Sequence, residues 1–293
     1  MSLDIELTDV HLRYGSTEAL AGLSLRLEAD TICGLLGRNG SGKTSLMSLL
    51  ASLRRPDAGT VRIGGRDPFE DAELMSRVAL IGEGGSDPTD NVADVLRSAA
   101  LLRPSWDAGY AARLLDRFEV PRRKAIASLS RGKRAALGVT CGLAARAEIT
   151  MFDETHLGMD APSRYAFYDE LLADYLEHPR TVILSTHHVE EVASLFAQVV
   201  IIDRGRLLVH DDTDEVRARG TQVTGPADAV DRFTAGVTVL GRRDLGRTRA
   251  AALYGTLTPE RRRQAREAGL DIGPMPLQDL FVHLTADTEK EQS

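Results

Sequence analysis

A chain of 293 residues, 43% apolar and carrying a net charge of −7, can bury an ordinary globular core in one large domain or in a large and a small one. The acidic balance argues against a nucleic-acid backbone as main ligand. No apolar run reaches the roughly 18 to 20 residues that cross a bilayer, and Met1 to Glu6 lacks a signal peptide's basic-then-apolar pattern.

In chain order, Asp4 to Arg13 alternates apolar and polar residues (Ile5, Leu7, Val10, Leu12), as does Leu23 to Leu27. Period-two patterning of this kind predicts an antiparallel strand pair. Tyr14 follows the first strand; its ring offers a stacking face to an adenine, or is a plain surface-turn tyrosine. Thr31 to Leu36 reads as a short buried strand, and Thr44 to Leu50 has helical spacing.

Between them lies Gly37-Arg38-Asn39-Gly40-Ser41-Gly42-Lys43-Thr44, which fills every fixed position of the phosphate-loop pattern G-x-x-x-x-G-K-[ST] in its strand-loop-helix context. Glycines let successive N–H groups turn inward on phosphate oxygens, and the helix adds its positive end. Lys43 is expected to reach the β- and γ-phosphates of a nucleoside triphosphate, with Thr44 on Mg2+ and Ser45 completing the binding segment.

Thr60 to Ile63 and Val78 to Gly82 are further strand candidates, the second followed by Glu83. From Asn91 to Phe118 apolar residues return at helical spacing, a helical insertion in an alternating α/β chain. Cys33 and Cys141 fall in a strand and a helix without metal spacing, as buried thiols of a reducing cytosol would. Ile149 to Glu154 is an apolar run ending in two carboxylates: an ordinary strand-end pair, or, beside a phosphate loop, Asp153 for magnesium and Glu154 for the attacking water. Thr181 to His188 is another apolar strand that stops on two histidines. His187 there either hydrogen-bonds a γ-phosphate or its water, or caps a helix expected from Val189.

The order of phosphate loop, helical insertion, Leu129-Ser130-Arg131-Gly132-Lys133, Asp153-Glu154, Gly158-Met159-Asp160 and Ser185-Thr186-His187 resembles the ATP-binding cassette (ABC) ATPases over Ile5 to Arg219. The resemblance implies a phosphate-loop NTPase with an antiparallel β subdomain and a helical subdomain, residues 1–219, the helical part at about 86–146. It implies ATP and Mg2+ as ligands, Tyr14 as the adenine-stacking aromatic, Glu154 and His187 as catalytic residues, and Thr44, Glu83 and Asp153 around the metal. Ser130 and Gly132 would stand in the signature that contacts the nucleotide of a second ABC ATPase chain. Three departures are visible: Glu83 replaces the family's glutamine, Arg131 and Lys133 replace glycine and glutamine in the signature, and Thr155 replaces a proline.

Residues 220–286 read as a small α+β domain in βαββαβ order, ferredoxin-like, with a closing helix, Leu277 to Leu284, that resembles the end of many ABC exporter ATPases. Arg261, Arg262, Arg263 and Arg266 cluster on one of its helices as a solvated face. Residues 287–293 form a charged tail expected to be disordered. The implied function is the ATP-hydrolysing subunit of an ABC transporter, an exporter, cytoplasmic and held at the inner face of the membrane by an integral membrane permease, without direct nucleic-acid binding. The alternatives are a soluble ABC ATPase outside transport and a nucleotide-binding regulator with weak hydrolysis.

Overall fold

The computed structural model describes residues 3–82 and 89–286. Glu83 and the tail from residue 287, for which a metal role and disorder were expected, lie outside the described residues. The chain forms two compact units: Met1–His187 with Ile202–Leu207, and His188–Ile201 with Leu208–Ser293.

In the first unit β1 (Ile5–Tyr14) and β2 (Thr17–Leu27) form the expected antiparallel pair. Their alternating residues Ile5, Leu7, Leu23 and Leu25 are buried. β3 (Ile32–Leu36) belongs to a different sheet: after α1 (Lys43–Leu50), it is β4 (Ala58–Ile63) that pairs with β1, giving the order β2-β1-β4. Next come α2 (Ala72–Ser76) and β5 (Val78–Ile81). The helical insertion is α3 (Val92–Leu102) and α4 (Ala108–Arg117), each started by a side-chain cap, Asn91 and Asp107.

A longer helix, α5 (Arg131–Ala145), then leads into β6 (Ile149–Asp153), α6 (Ala161–Glu177) and β7 (Thr181–Thr186). Strands β5, β6, β7 and β3 are parallel neighbours in that order. The residues of β3, β6 and β7 are almost wholly buried, as expected of strands covered on both faces. The register pairs Asp153 with Ser185 and Leu36 with Thr186. Three carboxyl ends therefore open on one crevice, where open parallel sheets take their ligands.

No α-helix follows His187. Residues Val189 to Leu195 make isolated turns, with Val192 and Ala193 donating to the Val189 carbonyl at 3.2 and 2.9 Å, which corrects the helix expected from Val189. β8 (Gln198–Asp203) and β9 (Arg206–Asp212) straddle the division between the units.

The second unit also holds α7 (Thr213–Ala218), β10 (Gly220–Pro226), α8 (Ala227–Thr234), β11 (Val239–Leu245), β12 (Thr248–Tyr254), α9 (Pro259–Glu267), β13 (Asp271–Pro274) and α10 (Leu277–Ala286). From β10 to β13 the order is βαββαβ, and the antiparallel sheet runs β11-β12-β10-β13, the ferredoxin-like arrangement. Val223, Val230, Phe233, Leu253 and Leu270 close a core of its own.

Candidate functional site

The phosphate loop turns from β3 into α1 through backbone that only glycine tolerates. Gly42 has φ 109°, and a Cβ there would lie 2.6 Å from the Ala19 carbonyl. Side chains are thus excluded from the loop where its amides must face outward. Ser41 is buried, and its hydroxyl has no hydrogen-bond partner among the described residues. An orphaned hydroxyl among loop amides is what an oxyanion would satisfy.

Lys43, although only 5% exposed, keeps its charge satisfied. Its Nζ donates to the carbonyls of Gly37 and Arg38 at 2.7 and 3.2 Å, and pairs with Glu154 Oε1 at 3.1 Å. The same Oε1 lies 3.3 Å from His187 Nδ1. Burial acts to raise the Glu154 pKa, but the Lys43 ammonium and the His187 contact outweigh it, and the carboxyl stays below its usual 4.5. The backbone of Glu154 is left-handed, φ 50°, a strained conformation of the kind that collects at functional sites.

Asp153 is held from two sides. Thr44 Oγ1 donates to Oδ2 at 2.7 Å and Ser185 Oγ donates to Oδ1 at 2.6 Å, while the Glu154 amide donates to Ser185 Oγ at 3.2 Å. The motif pattern assigned Ser185 no role; only the β6–β7 register, which sets it opposite Asp153, reveals one. Among the described residues no three His, Cys, Asp or Glu side chains gather as a metal site. One carboxylate and one hydroxyl, both hard oxygen donors, instead suit a magnesium ion that takes its remaining ligands from water and substrate phosphate.

Thr155, the departure with no reading from sequence, is buried and donates from Oγ1 to the Ile81 carbonyl at 2.8 Å. It ties the ends of β6 and β5 together as a proline could not. Tyr14 stands at the end of β1, 39% exposed, with the Arg54 guanidinium 4.3 Å from its ring centre. Asn39 and Gly40 lie exposed on the loop, Ser45 half-buried on α1.

Ser130 caps α5, accepting from the Lys133 amide at 3.2 Å. Gly132 follows in the first turn, beside Gly158. Lys133 bonds the Phe118 carbonyl at 2.7 Å and Glu119 at 3.3 Å. Its charge is therefore spent on the end of α4 within its own chain.

The family described as ABC transporter matches residues 20–156. Across 95% of the chain and 94% of the relative, the sequence is 30% identical to the daunorubicin resistance ATP-binding protein DrrA3 of Streptomyces coeruleorubidus. The chain belongs to the ABC transporter ATP-binding proteins. It is thus the ATP-binding and ATP-hydrolysing subunit of a transporter. A doxorubicin resistance ATP-binding protein, DrrA of Mycobacterium tuberculosis, is 28% identical over 90% of this chain and 78% of its own length.

Solved ABC cassettes share the fold. An ATP-binding subunit of an ABC transporter superposes with TM-score 0.65 at 22% identity, over 73% of this chain and 91% of its own. A cassette solved as a dimer with ADP and phosphate superposes with TM-score 0.62 at 18% identity, over 71% and 98%.

Proposed function

We propose that this ABC ATPase drives an exporter: two cassettes close on ATP, and their opening and closing move a separate integral membrane permease. No described helix is long and apolar enough to cross a membrane, and the relatives that match nearly the whole chain are named for drug resistance. The cassette is assigned to residues 1–219 and the accessory domain to residues 220–286, with the chain peripheral on the inner membrane face through its permease.

The observation that carries the hydrolytic reading is the shared oxygen: Glu154 Oε1 meets both Lys43 Nζ and His187 Nδ1. Lys43 and the loop residues Gly37 to Thr44, with Ser45, hold the triphosphate, and Tyr14 stacks on the adenine. Thr44 and Asp153 would hold Mg2+, which when bound neutralises charge on the phosphate oxygens.

As the γ-phosphate takes over the Lys43 ammonium, Glu154 loses the partner that kept its pKa low, while burial still acts to raise it. The carboxylate becomes the stronger base just when a proton must be taken. It accepts that proton as water oxygen bonds to the γ-phosphorus and the bond to ADP breaks. His187 keeps the carboxylate oriented. Ser130 and Gly132 of a second chain seal the outer face of the triphosphate.

The test is Glu154→Gln, which keeps the shape and removes the base. Turnover is expected to fall by about a hundredfold or more, general-base catalysis alone being worth roughly 10²–10⁴, while ATP remains bound. Undiminished steady-state hydrolysis would refute the assigned role. Affinity purification from membranes is expected to recover an integral membrane protein with the chain.

A further inference from the structure

Two positions beyond Glu154, in the short turn Thr155–Gly158 that follows β6, stands a histidine that the sequence motifs leave without a part. His156 is fully buried. Its ring stacks on Phe167 of α6, with centroids 6.2 Å apart and planes 27° apart, and meets Tyr168 edgewise at 5.8 Å. A phenyl ring would satisfy that packing alone, so the nitrogens need a reason of their own. Nε2 lies 3.4 Å from Thr186 Oγ1. Thr186 is itself fully buried, and a buried hydroxyl calls for a partner.

Side chains alternate along a strand. Ser185 therefore reaches Asp153 from one face of β7, while Thr186 meets His156 on the other. His187 follows Thr186 at one Cα step, about 3.8 Å. The contacts close a ring: Glu154 lies two residues before His156, His156 bonds Thr186, Thr186 adjoins His187, and His187 Nδ1 returns to Glu154 Oε1 at 3.3 Å.

The left-handed backbone of Glu154, φ 50°, persists only where its surroundings over-determine it. Ser185 accepts from its amide, and Thr155 ties the next residue to the Ile81 carbonyl. His156 adds a third hold on the far face of β7. We infer that His156 is a positioning residue for ATP hydrolysis: by gripping Thr186 from behind the strand it fixes the separation of Glu154 and His187. This rests on the roles proposed above for those two residues. Glu154, His156, Thr186 and His187 all belong to the first unit.

The test compares Thr186→Val, which removes the hydroxyl and keeps the shape, with Thr186→Ser, which keeps the hydroxyl. His156→Phe retains a ring against Phe167 and Tyr168 and removes the nitrogen. Thr186→Val and His156→Phe should each lower kcat roughly tenfold, less than the hundredfold that a 1 Å misplacement can cost. KM for ATP should stay within about twofold, because ground-state binding is untouched. Thr186→Ser should turn over like the wild type. The double variant of His156→Phe and Thr186→Val should lose no more than either alone, since the two ends of one contact are non-additive.

In a His187→Ala background, Thr186→Val should cost nothing more. The Thr186 pair decides the matter even if His156→Phe fails to fold. Wild-type kcat in Thr186→Val, an equal loss in Thr186→Ser, losses that multiply in the double variant, or the same loss with and without His187 each overturns the inference. Wild-type turnover in His187→Ala would instead remove the reading beneath it.

Discussion

Glu154 carries the most contested balance of forces in the site, and its ionisation makes stability depend on pH. Its folded pKa lies below the usual 4.5, held there by Lys43 and His187 against burial. A carboxyl with a depressed folded pKa contributes stability that is fully present above its unfolded pKa and is lost as pH falls through the folded value. The stability of the wild type relative to Glu154→Gln should therefore hold between pH 6 and 5 and decline below pH 4.5. Urea unfolding of both proteins across that range measures it; a constant difference down to pH 3 would show that Glu154 titrates normally. Ser185 offers a second test at this scale. It bonds both Asp153 Oδ1 and the Glu154 amide, so Ser185→Ala should slow turnover by about tenfold, the lower end of what residues supporting a metal ligand contribute. Steady-state kinetics with ATP check this.

At the scale of elements, α5 shows how closely a helix can be laid on a sheet. A Cβ on Gly142 would lie 2.5 Å from Phe152 Cε1 and 2.8 Å from Ile81 Cγ1, and Phe152 is fully buried. Gly142→Ala gains about 1 kcal/mol of helix propensity, against about 1–3 kcal/mol for overpacking a tight core. A ring that cannot retreat puts the cost at the upper end, so a lowered urea midpoint is expected. An unchanged or raised midpoint would mean that the contact relaxes. Thr155→Val removes the hydroxyl from the Ile81 carbonyl and should cost about 1 kcal/mol, read from the same midpoint.

These elements also show where sequence stopped short. The phosphate loop, the strand ending in Asp153 and the strand before His187 were legible because phosphate chemistry constrains residue type and spacing together. Val189, Val192, Ala193 and Phe196 have helical spacing and are all buried, yet they form only turns. The Val189 amide is capped from α10, which no local window contains. β11, Val239–Leu245, begins in apolar residues but runs on through Arg242, Arg243 and Asp244. It lies at the sheet edge, where charged residues are welcome and the apolar alternation fades.

At the scale of the whole molecule, one chain carries two anion-binding ends. In the function proposed above, the phosphate loop supplies amides and Lys43 for a triphosphate, and the first turn of α5, capped by Ser130, offers a second set to the nucleotide that another chain brings. Glu154→Gln, unable to turn over, should then collect as a dimer in ATP and magnesium, at twice the monomer mass by light scattering. Gly132→Asp is the sharper probe of that interface. Its Cβ would sit 3.4 Å from the Gly158 carbonyl, an ordinary contact, and a carboxylate in the first helical turn stabilises α5 itself by about 0.3–1 kcal/mol. The same carboxylate repels an approaching phosphate. Combined with Glu154→Gln, it should leave a protein that is folded, binds ATP and remains monomeric. A dimer undiminished by Gly132→Asp would move the seal away from the signature, whereas loss of ATP binding along with the dimer would show that the substitution had damaged the chain's own site.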